Sequence, residues 1–225
     1  MDLTVVLPAK GEGPNLKALL PALRQVTSGL GLSTEILVIT PAADALCESV
    51  ARESGALVIQ QATPGYGGAL TRGFEAAASD WILTMDADQS HRPDFVADMW
   101  SARQRADIVV ASRYVRGGKA IMPYGRYLLS RALNFVFSRG LGIAVSDMSS
   151  GFRLYRKRAL PSLADLPENF DAIQTILVRA HIEGRRITEI PFTYQPRGHG
   201  RSTARLVRFG IDSVRTFFRL RKARR

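Results

Sequence analysis

The chain has 225 residues, enough for one sizeable domain with a packed core. Its apolar fraction of 46% and charged fraction of 23% exclude a disordered or fibrous chain, and its lone Cys47 excludes an internal disulfide. The net charge of +11 is uneven: residues 197–225 hold ten Lys or Arg and one acid, Asp212, so the tail carries nine of the eleven positive charges.

In chain order, the segments of residues 1–115 alternate. "LTVVLP" reads as a short apolar strand, not as a signal peptide, because no basic region precedes it. "GPNLKALLPALRQV" places Leu16, Leu19, Leu20 and Leu23 at helical spacing. Then come strand "TEILVIT", helix "ADALCESVARESG", strand "ALVIQ", helix "GGALTRGFEAAAS", strand "DWILTMD", helix "RPDFVADMWSARQR" and strand "ADIVVASR". Continuous apolar strands between helices predict a mostly parallel α/β sheet covered on both faces. Ligands of such sheets bind at the carboxyl ends of the strands, where Pro8, Thr40, Asp86 and Arg113 fall.

Residues 123–145 are apolar but punctuated by Arg126, Arg131 and Arg139. A loop, "SDMSSGFRLYRKRAL", a helix near 171–183, a strand "RITEIPFTY" and a glycine-rich basic loop "QPRGHGRST" follow. From about Ala204 a basic amphipathic helix is expected, with Leu206, Phe209, Val214, Phe217 and Leu220 on one face and arginines largely on another. The domain expectation is therefore a main domain over 1–203 and this helix over 204–225. An anionic membrane surface is its expected partner; the alternative is a helix packed on the domain. No stretch approaches the roughly 20 apolar residues of a membrane span. No nucleic-acid recognition motif is present, and nucleic acid is not expected as a partner.

The segment "LTMDADQSH" ends an apolar run in two carboxylates, Asp86 and Asp88. Desolvated carboxylates need a cation or donors opposite them. A D-x-D at a strand end can hold a hard divalent cation, with phosphates as further partners. Alone the motif is weak. Gly65, Gly67 and Gly68 fit either a strand-to-helix turn or a nucleotide-facing loop. His91 and His199 are expected as solvated loop residues, and no zinc site is expected.

Read together, "PAKGE" at 8–12, "GYGGALTRGF", "MDADQSH", "SRYVRGG", "GRYLLSRALN", "DMSSGFRLYRK" and "PRGHGRST" resemble the family 2 glycosyltransferases, and more closely their dolichol-phosphate mannose synthase branch. The resemblance implies a nucleotide-diphospho-sugar transferase (GT-A) fold. It also implies a hexose from a nucleotide sugar, mannose or glucose in class, a polyprenyl phosphate acceptor, magnesium or manganese, and inversion at the anomeric carbon. By position, Pro8, Ala9 and Glu12 would line the nucleoside pocket, and Gly68 would belong to the donor-binding set. Asp86 would sit by the ribose and diphosphate, Asp88 would be the main metal ligand, and Ser90 a further one. Arg113, Arg126 and Ser130 would grip the lipid phosphate and the transferred sugar phosphate. Arg197 and Ser202 would close over the donor diphosphate. Thr40 and Pro41 stand where the family has acids that read the base, so base and sugar stay open. No obvious general base follows the carboxylates, although Asp147 and Asp171 are candidates. That favours an already ionised phosphate acceptor over a saccharide hydroxyl. A non-catalytic protein that kept the fold is the other alternative. The expected location is peripheral, on the cytoplasmic membrane face.

Overall fold

The computed structural model describes residues 1–42, 44–199 and 215–222. The alternating segments form β1 (Leu3–Pro8), α1 (Gly13–Gly29), β2 (Thr34–Thr40), α2 (Ala45–Glu53), β3 (Leu57–Gln60), α3 (Gly65–Ala76), β4 (Trp81–Thr84), α4 (Val96–Ala102) and β5 (Ile108–Ser112). The predicted helix "RPDFVADMWSARQR" is shortened to α4, because a 3-10 turn occupies Pro93–Phe95. Then follow β6 (Lys119–Ala120), α5 (Tyr124–Leu141), β7 (Arg153–Arg156), α6 (Asp171–Ile182), β8 (Ile187–Pro191) and β9 (Thr193–Tyr194).

Seven strands make one sheet in the order β3-β2-β1-β4-β7-β5-β8, and β6 pairs with β9 in a second. All neighbours in the large sheet are parallel except those of β7, which runs antiparallel to β4 and β5. Strand β7 corrects the sequence reading, which placed it inside a loop. Its central position is bridged on both sides: Leu154 opposes Leu83 and Val109. Its four residues, "RLYR", carry charges at both ends, so the apolar signal is too short to mark a buried strand.

Strand residues alternate between two cores. Leu3, Val5, Leu7, Ile36 and Val38 pack with Leu16, Leu20 and Leu23 of α1 and Val50 of α2. Val6, Leu37, Ile39, Ile82 and Tyr155 pack on the other face with Leu70 and Phe74 of α3, Phe137 of α5 and Ile176 of α6. Period-2 strands between amphipathic helices thus produce the three-layer arrangement. Pro14 suits the first turn of α1, where its missing N–H has no helical partner to lose. Gly142, in the left-handed region at φ 59°, closes α5.

Residues 215–222 are helical. Leu220 and Thr216 are buried, and the Phe217 ring meets Phe137 at 5.6 Å. The Thr216 hydroxyl donates to the Asp171 carboxylate. Within this stretch, Phe217 and Leu220 face the protein, not a membrane, while Arg215, Phe218 and Arg219 point outward. Leu206, Phe209 and Val214 lie outside the described residues. Among the described residues no helix is long and apolar enough to cross a membrane.

Candidate active site

The carboxyl ends of β1 and β4 are neighbours in the sheet, so the segments leaving them share one edge. Ala9 is held there by its N–H, which donates to Ile39 O at 2.8 Å, and Pro8 ends β1. Glu12 follows at the start of α1, is buried, and takes two donors: Asn15 Nδ2 at 2.6 Å and Arg197 Nη1 at 2.7 Å. The Glu12 main-chain N–H points at Cys47 Sγ, 3.2 Å away. Burial pushes the Cys47 thiol up to about 11, so it is an inert packing group at neutral pH. Asp44 reaches back as well: it accepts the Gly11 N–H at 2.7 Å while capping α2.

The two carboxylates after β4 have different surroundings. Asp86 accepts the Tyr66 hydroxyl at 3.0 Å, and its own N–H donates to His91 Nδ1 at 2.9 Å. Burial raises the Asp86 pKa, reinforced by the neighbouring charge of Asp88 and opposed by the Tyr66 hydroxyl that donates to it. Asp88 accepts the Ser90 N–H at 3.0 Å with one oxygen and faces Arg197 Nη2 at 3.3 Å with the other. Arg197 therefore bridges Glu12 and Asp88 with the two arms of one guanidinium. Its loop is tied down by main-chain bonds from Gln195 to Ser90 O and from Gly198 to Asp88 O. Two bonds between His199 and the Asn15 side chain complete the attachment.

His91 departs from the expectation of a solvated loop histidine. It is buried, stacked on Phe152 at 5.0 Å and edged by Phe192 and Tyr194. Burial lowers its pKa, and an Nδ1 that accepts from a main-chain N–H carries no proton. A neutral imidazole behind the D-x-D therefore fixes the main chain of Asp86.

On the far side of the sheet edge, Arg113 Nε and Nη2 grip both oxygens of Asp147 at 2.7 Å, and Nη2 also donates to Ser149 at 2.8 Å. Asp147 is fully buried, and the Arg113 guanidinium holds its carboxyl below the usual range against the opposing effect of burial. Asp147 is thus committed as a counter-ion and is not a candidate base. Asp171, the other candidate, accepts from Thr216. Ser130 of α5 accepts the Tyr114 hydroxyl at 2.7 Å, and Asn134 ties that helix to Ser149.

A cleft of about 330 Å³ opens beside Asp88. Asp88, Arg126, Tyr194 and Arg197 line it together with the Ile121–Pro123 segment and Pro196. The structure thus brings Asp88, Arg126 and Arg197 to one cavity; Glu12 and Ser90 adjoin it through direct bonds to Arg197 and Asp88, and Asp86 stands two residues before Asp88, bonded to Tyr66 and His91. Arg113 and Ser130 sit in the network beneath α5, not among the cleft-lining residues. Gly68 is explained by packing: a Cβ there would lie 2.1 Å from Thr63 O, and one on Gly67 1.8 Å from Pro167 O. Ser202 lies outside the described residues. Tyr66, His91 and Asn15 were not singled out as site residues from sequence. Only His91 had a signal, its place three residues after Asp88.

The donor set suits a hard divalent cation. It offers oxygens only, and the buried Ser90 Oγ has no hydrogen-bond partner among the described residues. Asp88 already faces a cationic group. Among the described residues no cluster of three or more His, Cys, Asp or Glu could hold a metal, but magnesium-type ions need only one or two carboxylates beside phosphates and water.

A seven-stranded mixed sheet with paired carboxylates at the end of an inner strand defines an α/β protein of the nucleotide-diphospho-sugar transferase (GT-A) type. The model of Glycosyl transferase family 2 matches residues 4–163, and the chain belongs to that family. A dolichol-phosphate mannosyltransferase of Pyrococcus furiosus is 28% identical over 211 residues, covering 90% of this chain; the chain spans only 59% of that relative's length. An undecaprenyl-phosphate mannosyltransferase of Micrococcus luteus is 29% identical, over 90% of this chain and 87% of its own. The resemblance to the polyprenyl-phosphate branch is borne out by these relatives. Among solved structures, glucosyl-3-phosphoglycerate synthase from Mycobacterium tuberculosis in complex with Mn2+, UDP and glucosyl-3-phosphoglycerate superposes with a TM-score of 0.74. It is 21% identical and aligned over 99% of this chain and 79% of its own. That likeness supports the fold.

Proposed function

We propose that this protein transfers a hexose from a nucleoside diphosphate sugar to a polyprenyl phosphate at a membrane surface. The observation that carries the reading is the shared cleft. Asp88 and Arg197, the donor-side residues, face Arg126, which projects from α5 beside exposed apolar side chains. A charged donor pocket opening directly onto a greasy helix suits an acceptor with a phosphate head and a hydrocarbon tail. The polyprenyl-phosphate names of the relatives support the same reading.

Transfer would be a single displacement. An oxygen of the acceptor phosphate forms a bond to the anomeric carbon while the bond from that carbon to the donor diphosphate breaks, inverting the centre. The nucleoside diphosphate leaves with the electron pair. The acceptor phosphate is already ionised, so no proton needs removing, in keeping with the commitment of Asp147 to Arg113. Asp88, Asp86 and Ser90 would hold a magnesium or manganese ion, which when bound offsets charge on the diphosphate. Arg197, released from Asp88, would take up a diphosphate oxygen, and Glu12 would keep it oriented. Arg126 would clamp the acceptor phosphate.

Helix α5 gives the membrane-facing surface. Tyr124, Leu128 and Phe135 are exposed along one side of it, Tyr124 by 74% and Phe135 by 63%, with Arg131 and Arg139 between and beyond them. An apolar strip flanked by arginines suits a peripheral position on an anionic leaflet, here assigned to the cytoplasmic face. The basic residues of 204–225 add attraction.

The test is transfer itself. Purified protein is incubated with radiolabelled GDP- and UDP-hexoses, manganese and a short polyprenyl phosphate, and lipid-extractable label is counted. Label in the lipid phase that disappears on chelation supports the reading. Transfer to free saccharides but never to the lipid phosphate would overturn it.

A further inference from the structure

Arg153 lies at the start of β7, in the middle of the sheet, and has no exposed surface. Among the described residues no carboxylate lies within ion-pair distance. Instead Nη1 donates to Ile173 O at 2.6 Å and to the Tyr155 hydroxyl at 3.4 Å, Nη2 donates to Met148 O at 2.8 Å, and Nε has no partner. A buried cation held by two carbonyls and a phenol, with one donor unmet, is costly. A methionine would fill the same apolar space with no charge to desolvate. Stability alone does not account for an arginine there.

The carbonyls it holds indicate the gain. Met148 stands between Asp147 and Ser149, the two residues that grip the Arg113 fork. Ile173 lies in the first turn of α6, a separate element. The guanidinium thus pins the 147–149 segment to α6 from below, while Glu189 and Asn134 hold the same segment from its sides. Glu189 accepts the N–H groups of Ser146 and Asp147, and Asn134 accepts that of Ser149. The charge of Arg153 also helps keep Asp147 ionised.

We infer that Arg153 is a positioning residue: its buried fork fixes the Asp147–Ser149 segment, and through it the Arg113 guanidinium, for recognition of the acceptor phosphate. The acceptor part rests on the proposed function; the fixing of the segment does not. Arg153→Met is compared with wild type in three measurements. Amide hydrogen exchange of a peptide covering residues 146–152 should speed up at least tenfold, with the rest of the chain unchanged. The Tm should fall by no more than a few degrees, because the carbonyl bonds lost are offset by removal of a buried, incompletely paired charge. The acceptor kcat/KM should drop at least tenfold while the donor KM stays within twofold. Unchanged exchange at 146–152 overturns the inference. So does a larger fall in Tm with exchange rising throughout the chain, which would make Arg153 a general strut. If wild type transfers nothing to any lipid phosphate, the proposed function fails and the exchange result alone decides the role of Arg153. If Arg153→Met does not fold, Arg153→Lys is measured instead. It keeps the charge but cannot span both carbonyls, so wild-type exchange and acceptor use there overturn the inference.

Discussion

Replacing Asp147 by Asn tests the charge arrangement beneath α5. The carboxylate is fully buried, accepts Nε and Nη2 of Arg113 at 2.7 Å and also accepts the Arg113 main-chain N–H at 3.0 Å. Asn keeps the shape but leaves the guanidinium, itself nearly buried, without its counter-ion. Removing one partner of a buried pair costs about 3–5 kcal/mol. A chain of this size loses roughly 2–4 °C of Tm per kcal/mol, so Asp147→Asn is expected to lower Tm by about 6–20 °C. The double variant Asp147→Asn with Arg113→Met removes both charges and should recover a substantial part of that loss, giving a coupling energy of at least about 1 kcal/mol. Differential scanning calorimetry measures both. The sign with pH follows from the lowered folded pKa of Asp147. Its contribution is fully present above the unfolded value of about 4 and is lost as pH falls through the lower folded value. The Asn variant should therefore lose its Tm deficit relative to wild type in strong acid. A Tm change under about 2 °C at pH 7, or single-variant losses that simply add, would refute the reasoning.

Asp88→Asn should reduce transfer on the order of 10³-fold, the value of several kcal/mol of lost charge stabilisation, with Tm nearly unchanged because Asn keeps an oxygen to accept the Ser90 N–H; steady-state rates and calorimetry check it. Wild-type turnover indifferent to chelator would contradict it. Arg126→Ala should raise the acceptor KM by roughly 10- to 100-fold through loss of one charge-assisted hydrogen bond and leave the donor KM unchanged. Equal effects on both would move Arg126 to the donor side. Phe135→Glu should weaken binding to anionic vesicles by roughly 10-fold or more, since burying a Phe is worth about 1.5–3 kcal/mol. Salt should weaken wild-type binding only in part, as screening acts on the arginines and not on the apolar strip. Co-sedimentation of Phe135→Glu at wild-type levels would place the contact elsewhere.

Most of the fold was legible because β1, β2, β4 and β5 are largely apolar runs while α1 and α2 carry an apolar stripe at helical spacing. Period therefore separates them in the sequence. The part that was not legible is β7, where Arg153 and Tyr155 face the α3 and α6 layer at positions an apolar pattern would assign to Val or Ile. The strand owes its place to its neighbours β4 and β5, and that pairing leaves no local signature. The C-terminal stretch shows the converse. Its helical period is plain, but period alone cannot tell whether Phe217 and Leu220 face a bilayer or a protein groove. Gly140 of α5 settles it for those residues, because a Cβ there would lie 2.4 Å from the Phe217 ring, so the two helices touch at a glycine.

In the site, the motif residues were legible and their partners were not. Asp86 and Asp88 stand out because paired charges at a strand end need explaining, and Glu12 and Arg197 are picked out by the family resemblance. Nothing in sequence says that Arg197, 185 residues after Glu12, would meet it at 2.7 Å. Such a contact follows from the loop after β9 being tied by its main chain to Ser90 and Asp88 beside the end of β4, next to β1, and only tertiary structure sets that. His91 was misjudged because loop histidines are ordinarily solvated, whereas here Phe152, Phe192 and Tyr194 come from three distant segments to enclose it. The resemblance puts Arg113 among the residues that grip the phosphates, and in the fold its charge is already matched by Asp147. Among the described residues Nη1 of Arg113 has no hydrogen bond, so under the proposed function it is the arm that would meet the acceptor phosphate without reorganising Nε and Nη2. Counter-ion and proposed acceptor contact are therefore not competing readings of Arg113: the carboxylate fixes the plane of the guanidinium, and that plane would set the direction from which a phosphate is met.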